Sequence, residues 1–343
     1  MSTPLPFILY AFWGKLVGFH MHQLRFFSLI IALFTFITFY FFYWQSSGRV
    51  HIALLVTFFL IFQPYSIGIS VFVYTDMLAL FFLAWSLIAF QREKPLLLAI
   101  SAAGALLCRQ YFIFLPAAFF LYYLIQLIIS PRGKSHTMLI SSLVSVVPLV
   151  SLLILWRGFS PQNEMGNLYL QKGLYFHIEF LVLYISLFIV YLFPIIIYRW
   201  KKYYTNYKLL FLSILLSFTY FLFPVRVSEP AMAVGVFTVG FFHRFIRMTL
   251  GSSFEHIVFY LIFLFSLPVV LWIIQDIYSQ IKYRNPNSFL FADLGIIFFL
   301  IIMPLSYLNW EKYFLPIIPI ALIQILGADK FKFLGISMKA VDN

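Results

Sequence analysis

The sequence predicts an all-α fold, a polytopic bundle of about nine to eleven transmembrane helices. Three observations predict it. Of the 343 residues, 63% are hydrophobic and only 10% are charged, and the mean hydropathy of +0.98 is far above that of a soluble domain. The apolar residues gather into runs of membrane-spanning length, and the Lys and Arg residues gather between those runs.

Taken in order, runs long enough to span fall at 25–44, 71–90, 111–130, 137–156, 177–198, 208–224, 256–276, 289–307 and 313–327, with about 20 residues per crossing as the guide. Two shorter runs, 51–63 and 95–108, complete the upper count if they cross as short or tilted helices. No soluble domain, low-complexity tract or internal repeat interrupts them, so 1–343 reads as a single integral-membrane domain. The basic connections are "QREK" (91–94), "PRGK" (131–134), "RWKKYYTNYK" (199–208), "IKYR" (281–284) and the tail "DKFKF". Placing these inside puts most of the 23 Lys and Arg residues on the cytoplasmic face, as the positive-inside rule requires. Helix alternation then places the amino terminus outside. With no signal peptide, that start fits either an N-out protein or a chain that lacks a preceding helix.

Composition excludes several function classes. The single cysteine, Cys108, rules out an internal disulfide framework and a cysteine zinc site. The seven His show no metal-binding spacing, and His20 and His22 are too isolated to count. The 45 Phe and 22 Tyr suit lipid-facing surfaces and interfacial belts. A net charge of +12 fits cytoplasmic loops and an anionic ligand, whereas no basic domain stands outside the membrane to hold nucleic acid.

The same topology gathers polar residues on the outer face. Asp76, Glu164, Glu179, Glu229, Glu255 and Glu311 accompany Arg109, Arg226, Arg244, Arg247 and Lys312, many of them at helix ends. A charge at the hydrocarbon edge costs roughly 2.5–3.5 kcal/mol on insertion scales, so such residues normally face a polar cavity or a partner. Cations to hold a lipid phosphate, an acid to deprotonate an incoming hydroxyl and aromatic faces for a sugar form one coherent set. Each also has a plainer explanation. Asp76 begins a helix and suits its dipole; Arg109 can snorkel at a hairpin tip; Trp310–Tyr313 can form an interfacial turn. Arg226, Glu229 and Glu164, the last beside Asn163 and Asn167, can be solvated loop residues.

Two short motifs carry a resemblance. "YTD" (74–76) opens a helix, and "RQ" (109–110) opens the next long one after an inner basic loop. This arrangement resembles the GT-C superfamily of polyprenyl-phosphate-sugar-dependent glycosyltransferases, most closely the dolichol-phosphate-glucose α-1,2-glucosyltransferase family. The Pro-rich amino-terminal stretch "STPLPFILYAFWGKLVGFHMHQLR" and the late "NWEKYFLPIIPIALI" are similar to segments of those enzymes. The resemblance implies a GT-C-like bundle and an inverting hexosyltransferase that moves a sugar to a glycan or lipid acceptor on the periplasmic or luminal face. The membrane would be a bacterial plasma membrane or the endoplasmic reticulum. Asp76 and Glu229 are then the candidate catalytic acids. Arg109, Gln110, Arg226 and Lys312 would hold the donor phosphate, and Tyr74, Trp310 and Glu311 would contact sugar or acceptor. No metal or cofactor is required beyond the lipid-linked donor; the expected partners are that donor, the acceptor and membrane lipids. GT-C enzymes begin with a helix and an outer loop carrying a catalytic acid, so the resemblance implies either that both precede Met1 in the natural protein or that this is a reduced member without them. Two other classes fit the buried charges: a transporter of an anionic lipid or metabolite, and a non-catalytic membrane scaffold.

Overall fold

A computed structural model describes residues 3–129, 133–159, 175–233, 235–306 and 308–327. Among these the chain is helical, with no β-strand. Five helical stretches are long and apolar enough to cross a membrane: Met21–Ser47, Gln110–Ile129, Ser135–Trp156, Ile178–Tyr198 and Ser252–Lys282. A sixth arises if Val50–Ile61 and Pro64–Val71, bent by 71° at their junction, form one broken crossing. Among the described residues these five or six meet the length and composition of a full crossing, against an expectation of about nine to eleven membrane helices that included short or tilted ones. The remaining apolar runs form shorter helices, Pro4–Val17, Asp76–Gln91, Pro95–Leu106, Tyr207–Leu222 and Phe289–Leu305.

The sequence reads as one membrane domain; Cα packing divides it into two compact units, Met1–Ile154 with Arg284–Ala292 and Leu326–Asn343, and Leu155–Tyr283 with Asp293–Ile325. Unit 1 begins with a helix, α1 (Pro4–Val17), where the sequence reading had only an outer segment. It continues through α2 (Met21–Ser47), α3 (Val50–Ile61), α4 (Pro64–Val71), α5 (Asp76–Gln91), α6 (Pro95–Leu106), α7 (Phe114–Ile129), α8 (Ser135–Val144) and α9 (Val147–Trp156). Proline at the first position starts α4 and α6, where its missing N–H would find no helical acceptor.

In unit 1, α2 packs on α5, and α5 on α6. The α5–α6 approach is close: Ser86 Oγ donates to Ser101 Oγ at 3.0 Å, and Gly104 leaves room for the ring of Phe82, which a Cβ would meet at 2.6 Å. Hydroxyls inside α2 are satisfied by the carbonyl one turn back, as with Thr35 to Ile31 and Ser46 to Phe42, both at 2.7 Å. Phe291 closes the core by stacking on Phe119 at 4.5 Å and contacting Phe90 at 4.6 Å.

Unit 2 contains α10 (Ile178–Tyr198), α11 (Trp200–Tyr204), α12 (Tyr207–Ser217), α13 (Thr219–Leu222), α14 (Glu229–Ala233), α15 (Phe241–Leu250) and α16 (Ser252–Lys282), with most of α17 (Phe289–Ile302) and α18 (Ile318–Leu326). Its axis is the pair α10–α16, flanked by α12. Phe188 meets Phe314 edge-on at 5.0 Å and Tyr184 meets Phe299 at 5.5 Å, so aromatic rings fill the core.

Candidate functional site

In unit 1 the two sequence-predicted charges meet. Asp76 is the first residue of α5, and Arg109 precedes the 3₁₀ turn Gln110–Ile113 that leads into α7. Arg109 Nη2 donates to Asp76 Oδ2 at 2.5 Å, and Tyr111 Oη donates to Oδ1 at 3.3 Å. Both charged side chains are 8% exposed. The segment carrying Arg109 is held from below by the start of the chain. Thr3 Oγ1 and Leu5 N donate to the carbonyls of Leu106 and Leu107 at 3.0 and 3.2 Å, satisfying acceptors at the end of α6. Tyr74 is 41% exposed, and Gln110 is half-buried.

Unit 2 holds a cavity of about 830 Å³. Its walls come from one end of the unit's helices. His177, Glu179 and Phe180 stand at the start of α10, and Glu255 and His256 at the start of α16; Val225–Glu229 follow the end of α13, and Leu305 follows α17. Two of the sequence-predicted residues, Arg226 and Glu229, line it. Between them Ser228 also lines the cavity, with a buried Oγ that has no hydrogen-bond partner among the described residues. The Arg226 side chain is exposed and makes no ion pair with a described residue.

The other cavity cation is neutralised. Arg247 grips Glu255 with Nε to Oε2 at 2.7 Å and Nη2 to Oε1 at 3.1 Å, while Nη1 donates to the Phe237 carbonyl at 2.6 Å. The hydrogen bonds to Glu255 push the guanidinium's pKa further up. His243 completes the cluster. Val239 N–H donates to its Nδ1 at 3.2 Å, so Nε2 carries the ring proton and donates to Glu255 Oε2 at 3.1 Å. His177 and Glu179 are paired at 3.2 Å, and Tyr220 contacts His256 Nδ1 at 3.3 Å.

The motif "NWEKY" stands behind these walls. Asn309 is fully buried; its Oδ1 accepts from Ser228 N at 3.0 Å and its Nδ2 donates to the Arg226 carbonyl. Glu311 is fully buried as well. Its carboxylate accepts from Phe242 N and His243 N at 2.9 Å each and from Tyr191 Oη at 2.7 Å, which caps the start of α15. Glu311 N donates to the Val239 carbonyl at 3.0 Å. Glu311, expected at the sugar, therefore does not line this cavity: its acceptor oxygens are given to backbone N–H groups that would otherwise end α15 unsatisfied. Trp310 and Lys312 are likewise absent from the lining. Lys312 Nζ lies 4.5 Å from the Trp310 ring centre, a cation–π contact.

Tyr74, Asp76, Arg109 and Gln110 thus belong to unit 1, and Arg226, Glu229, Trp310, Glu311 and Lys312 to unit 2. Glu164, Asn163 and Asn167 lie outside the described residues. The sequence reading passed over His177, His243, His256 and Ser228. Their signal was proximity in the chain to acids or cations, in "HIE", "FHR", "FEH" and "RVSE". Among the described residues no group of three or more His, Cys, Asp or Glu is placed to hold a metal ion. No protein-family model matches the chain, and no curated protein or solved structure matches it.

Proposed function

We propose that this chain is a membrane glycosyltransferase that moves a sugar from a polyprenyl-phosphate donor to a glycan or lipid acceptor, and that the unit 2 cavity is where it does so. The observation that carries the reading is the segment Arg226–Glu229. It presents a guanidinium with no ion pair among the described residues, a buried hydroxyl and a carboxylate to one cavity at the ends of apolar helices. In this scheme the acceptor hydroxyl attacks the anomeric carbon as Glu229 takes its proton, the carbon–phosphate oxygen bond breaks, and Arg226 and Ser228 receive the departing phosphate. The starts of α10 and α16 add the positive ends of two helix dipoles to the same region. Asp76 and Arg109 neutralise one another and do not line this cavity, whereas Glu229 and Arg226 do, which favours the latter two as base and phosphate anchor.

The face follows from charge. Arg199, Lys201, Lys202, Lys208 and Lys282 all lie at the end of α10, α12 and α16 opposite the cavity. By the positive-inside rule these five cations support a cytoplasmic assignment for that end and a periplasmic or luminal one for the cavity. The shorter apolar helices serve as tilted or partial crossings and bring the bundle toward the nine to eleven of a GT-C-like enzyme.

The test is sugar transfer by the purified protein in proteoliposomes, with radiolabelled polyprenyl-phosphate hexoses and a lipid-linked glycan acceptor. Glu229→Gln is expected to lower turnover by about 10²–10⁴-fold without loss of the folded protein. Arg226→Gln is expected to weaken donor use. Unchanged transfer by both variants would overturn the assignment.

A second reading has one observation in its favour. The 71° break between α3 and α4 is the kind of discontinuous helix that transporters use around a substrate. Flux of an anionic lipid or metabolite across the proteoliposome membrane, with no sugar transfer, would select it.

A further inference from the structure

The helix α15, "FFHRFIRMTL", has two opposite faces. His243 and Ile246, three apart, are 1% and 2% exposed and pack into unit 2. Phe241, Phe245 and Met248 recur at i, i+4 and i+7 on the other side and are 58%, 55% and 75% exposed. Arg244 lies exposed at the shoulder of this apolar stripe. Ten residues give a helix of about 15 Å, half the thickness of a hydrocarbon core. The helix is too short to cross.

Its attachment restricts where it can be. Only Gly251, at φ +81, separates α15 from α16, the 31-residue apolar span. That left-handed backbone turns the chain sharply and suits glycine. α16 also carries outward-facing apolar residues along its first half, Phe254, Ile257, Leu261 and Phe265. On a membrane span such residues face lipid, and α15 is joined through one residue to the amino-terminal end of that span.

We propose that α15 is an interfacial membrane helix. It lies along the bilayer surface with Phe241, Phe245 and Met248 in the boundary between head groups and acyl chains, and Arg244 at head-group level. The buried side of the same helix supplies His243 and Arg247 to the cavity wall. The cavity wall therefore sits at head-group depth, and a ligand carried by a lipid reaches it without leaving the bilayer. This inference goes beyond the transferase reading and holds whatever reaction the cavity serves.

Depth-resolved fluorescence tests it directly. In a Cys108→Ala background, Phe245→Cys and Met248→Cys are labelled with an environment-sensitive probe and reconstituted in vesicles. The vesicles carry lipids brominated either near the glycerol or near the acyl terminus. Phe265→Cys serves as the deep reference. Probes at 245 and 248 should lose most emission to the shallow bromines and little to aqueous iodide, whereas the probe at 265 should respond to the deep ones. Strong iodide quenching would place α15 in water, and insensitivity to every quencher would place it against protein; either overturns the proposal. A photo-crosslinking amino acid at 245 in the chain that keeps Cys108 asks the same question independently. Capture of phospholipid supports the proposal and its failure overturns it. Neither readout depends on sugar transfer, so loss of the transferase reading leaves this result standing.

Discussion

Breaking the Asp76–Arg109 pair should be far more damaging than removing it whole. At 2.5 Å and an effective dielectric constant near 20, the gross attraction is about 7 kcal/mol. Desolvating two ions takes back most of that, several kcal/mol for each. A single substitution leaves the other charge buried without its counter-ion, which typically costs about 3–5 kcal/mol. Asp76→Asn and Arg109→Gln should each destabilise by that amount, and the double variant should be less destabilised than the sum by at least about 2 kcal/mol. The assay is a double-mutant cycle on reversible unfolding in mixed micelles titrated with dodecyl sulfate, followed by helix content. Tyr111, which donates to the other Asp76 oxygen, stays in place throughout and cancels from the coupling. Additivity within about 0.5 kcal/mol would show that the two charges do not depend on each other and would refute the reasoning.

Three further outcomes follow from the packing of the unit 2 cavity and of α5 against α6. Glu311→Gln replaces an acceptor oxygen with a donor opposite backbone N–H or a tyrosine hydroxyl, so it should cost about 2–3 kcal/mol. Hydrogen exchange at the Phe242 and His243 amides, measured by mass spectrometry, should rise while the rest of unit 2 is unchanged. Asn309→Ala should cost about 1–3 kcal/mol by stranding Ser228 N and the Arg226 carbonyl, read as faster exchange across 225–229. Gly104→Ala forces a Cβ against the Phe82 ring, and micelle unfolding should show a loss of about 1–2 kcal/mol.

Hydrophobic run length carried much of the fold in advance. The expected segments at 25–44, 111–130, 137–156, 177–198 and 256–276 each lie within a few residues of one of the five long stretches. The expected boundaries differ from the structure where an apolar run carries its own helix start. Thr75 and Asp76 begin α5 within the segment read as 71–90, and Gln63 with Pro64 begins α4 at the end of 51–63. Hydropathy averages over such capping residues. It also missed α15, because a helix lying on a bilayer alternates arginine with phenylalanine and has low mean hydropathy; its 3.6-residue period was the legible signal. For the site, charge in an apolar context drew attention to Asp76 and Arg109, which pair in unit 1, and to Arg226 and Glu229, which line the unit 2 cavity. It could not tell that Glu311 would be consumed by the backbone of α15. That depends on contacts some 70 residues apart in sequence, which no local pattern encodes.

The Asp76–Arg109 pair also has a history during synthesis. Arg109 lies 33 residues after Asp76, and at about 5–20 residues per second it is made about 2–7 s later. Thr3 must wait for Leu106, 103 residues on, or about 5–20 s. Until then α5 has a carboxylate at its head and no Arg109 to neutralise it. A helix α5 released into lipid before Arg109 is made would carry the Asp76 carboxylate without that counter-ion, and a pause in translation between 76 and 109 would prolong that stage.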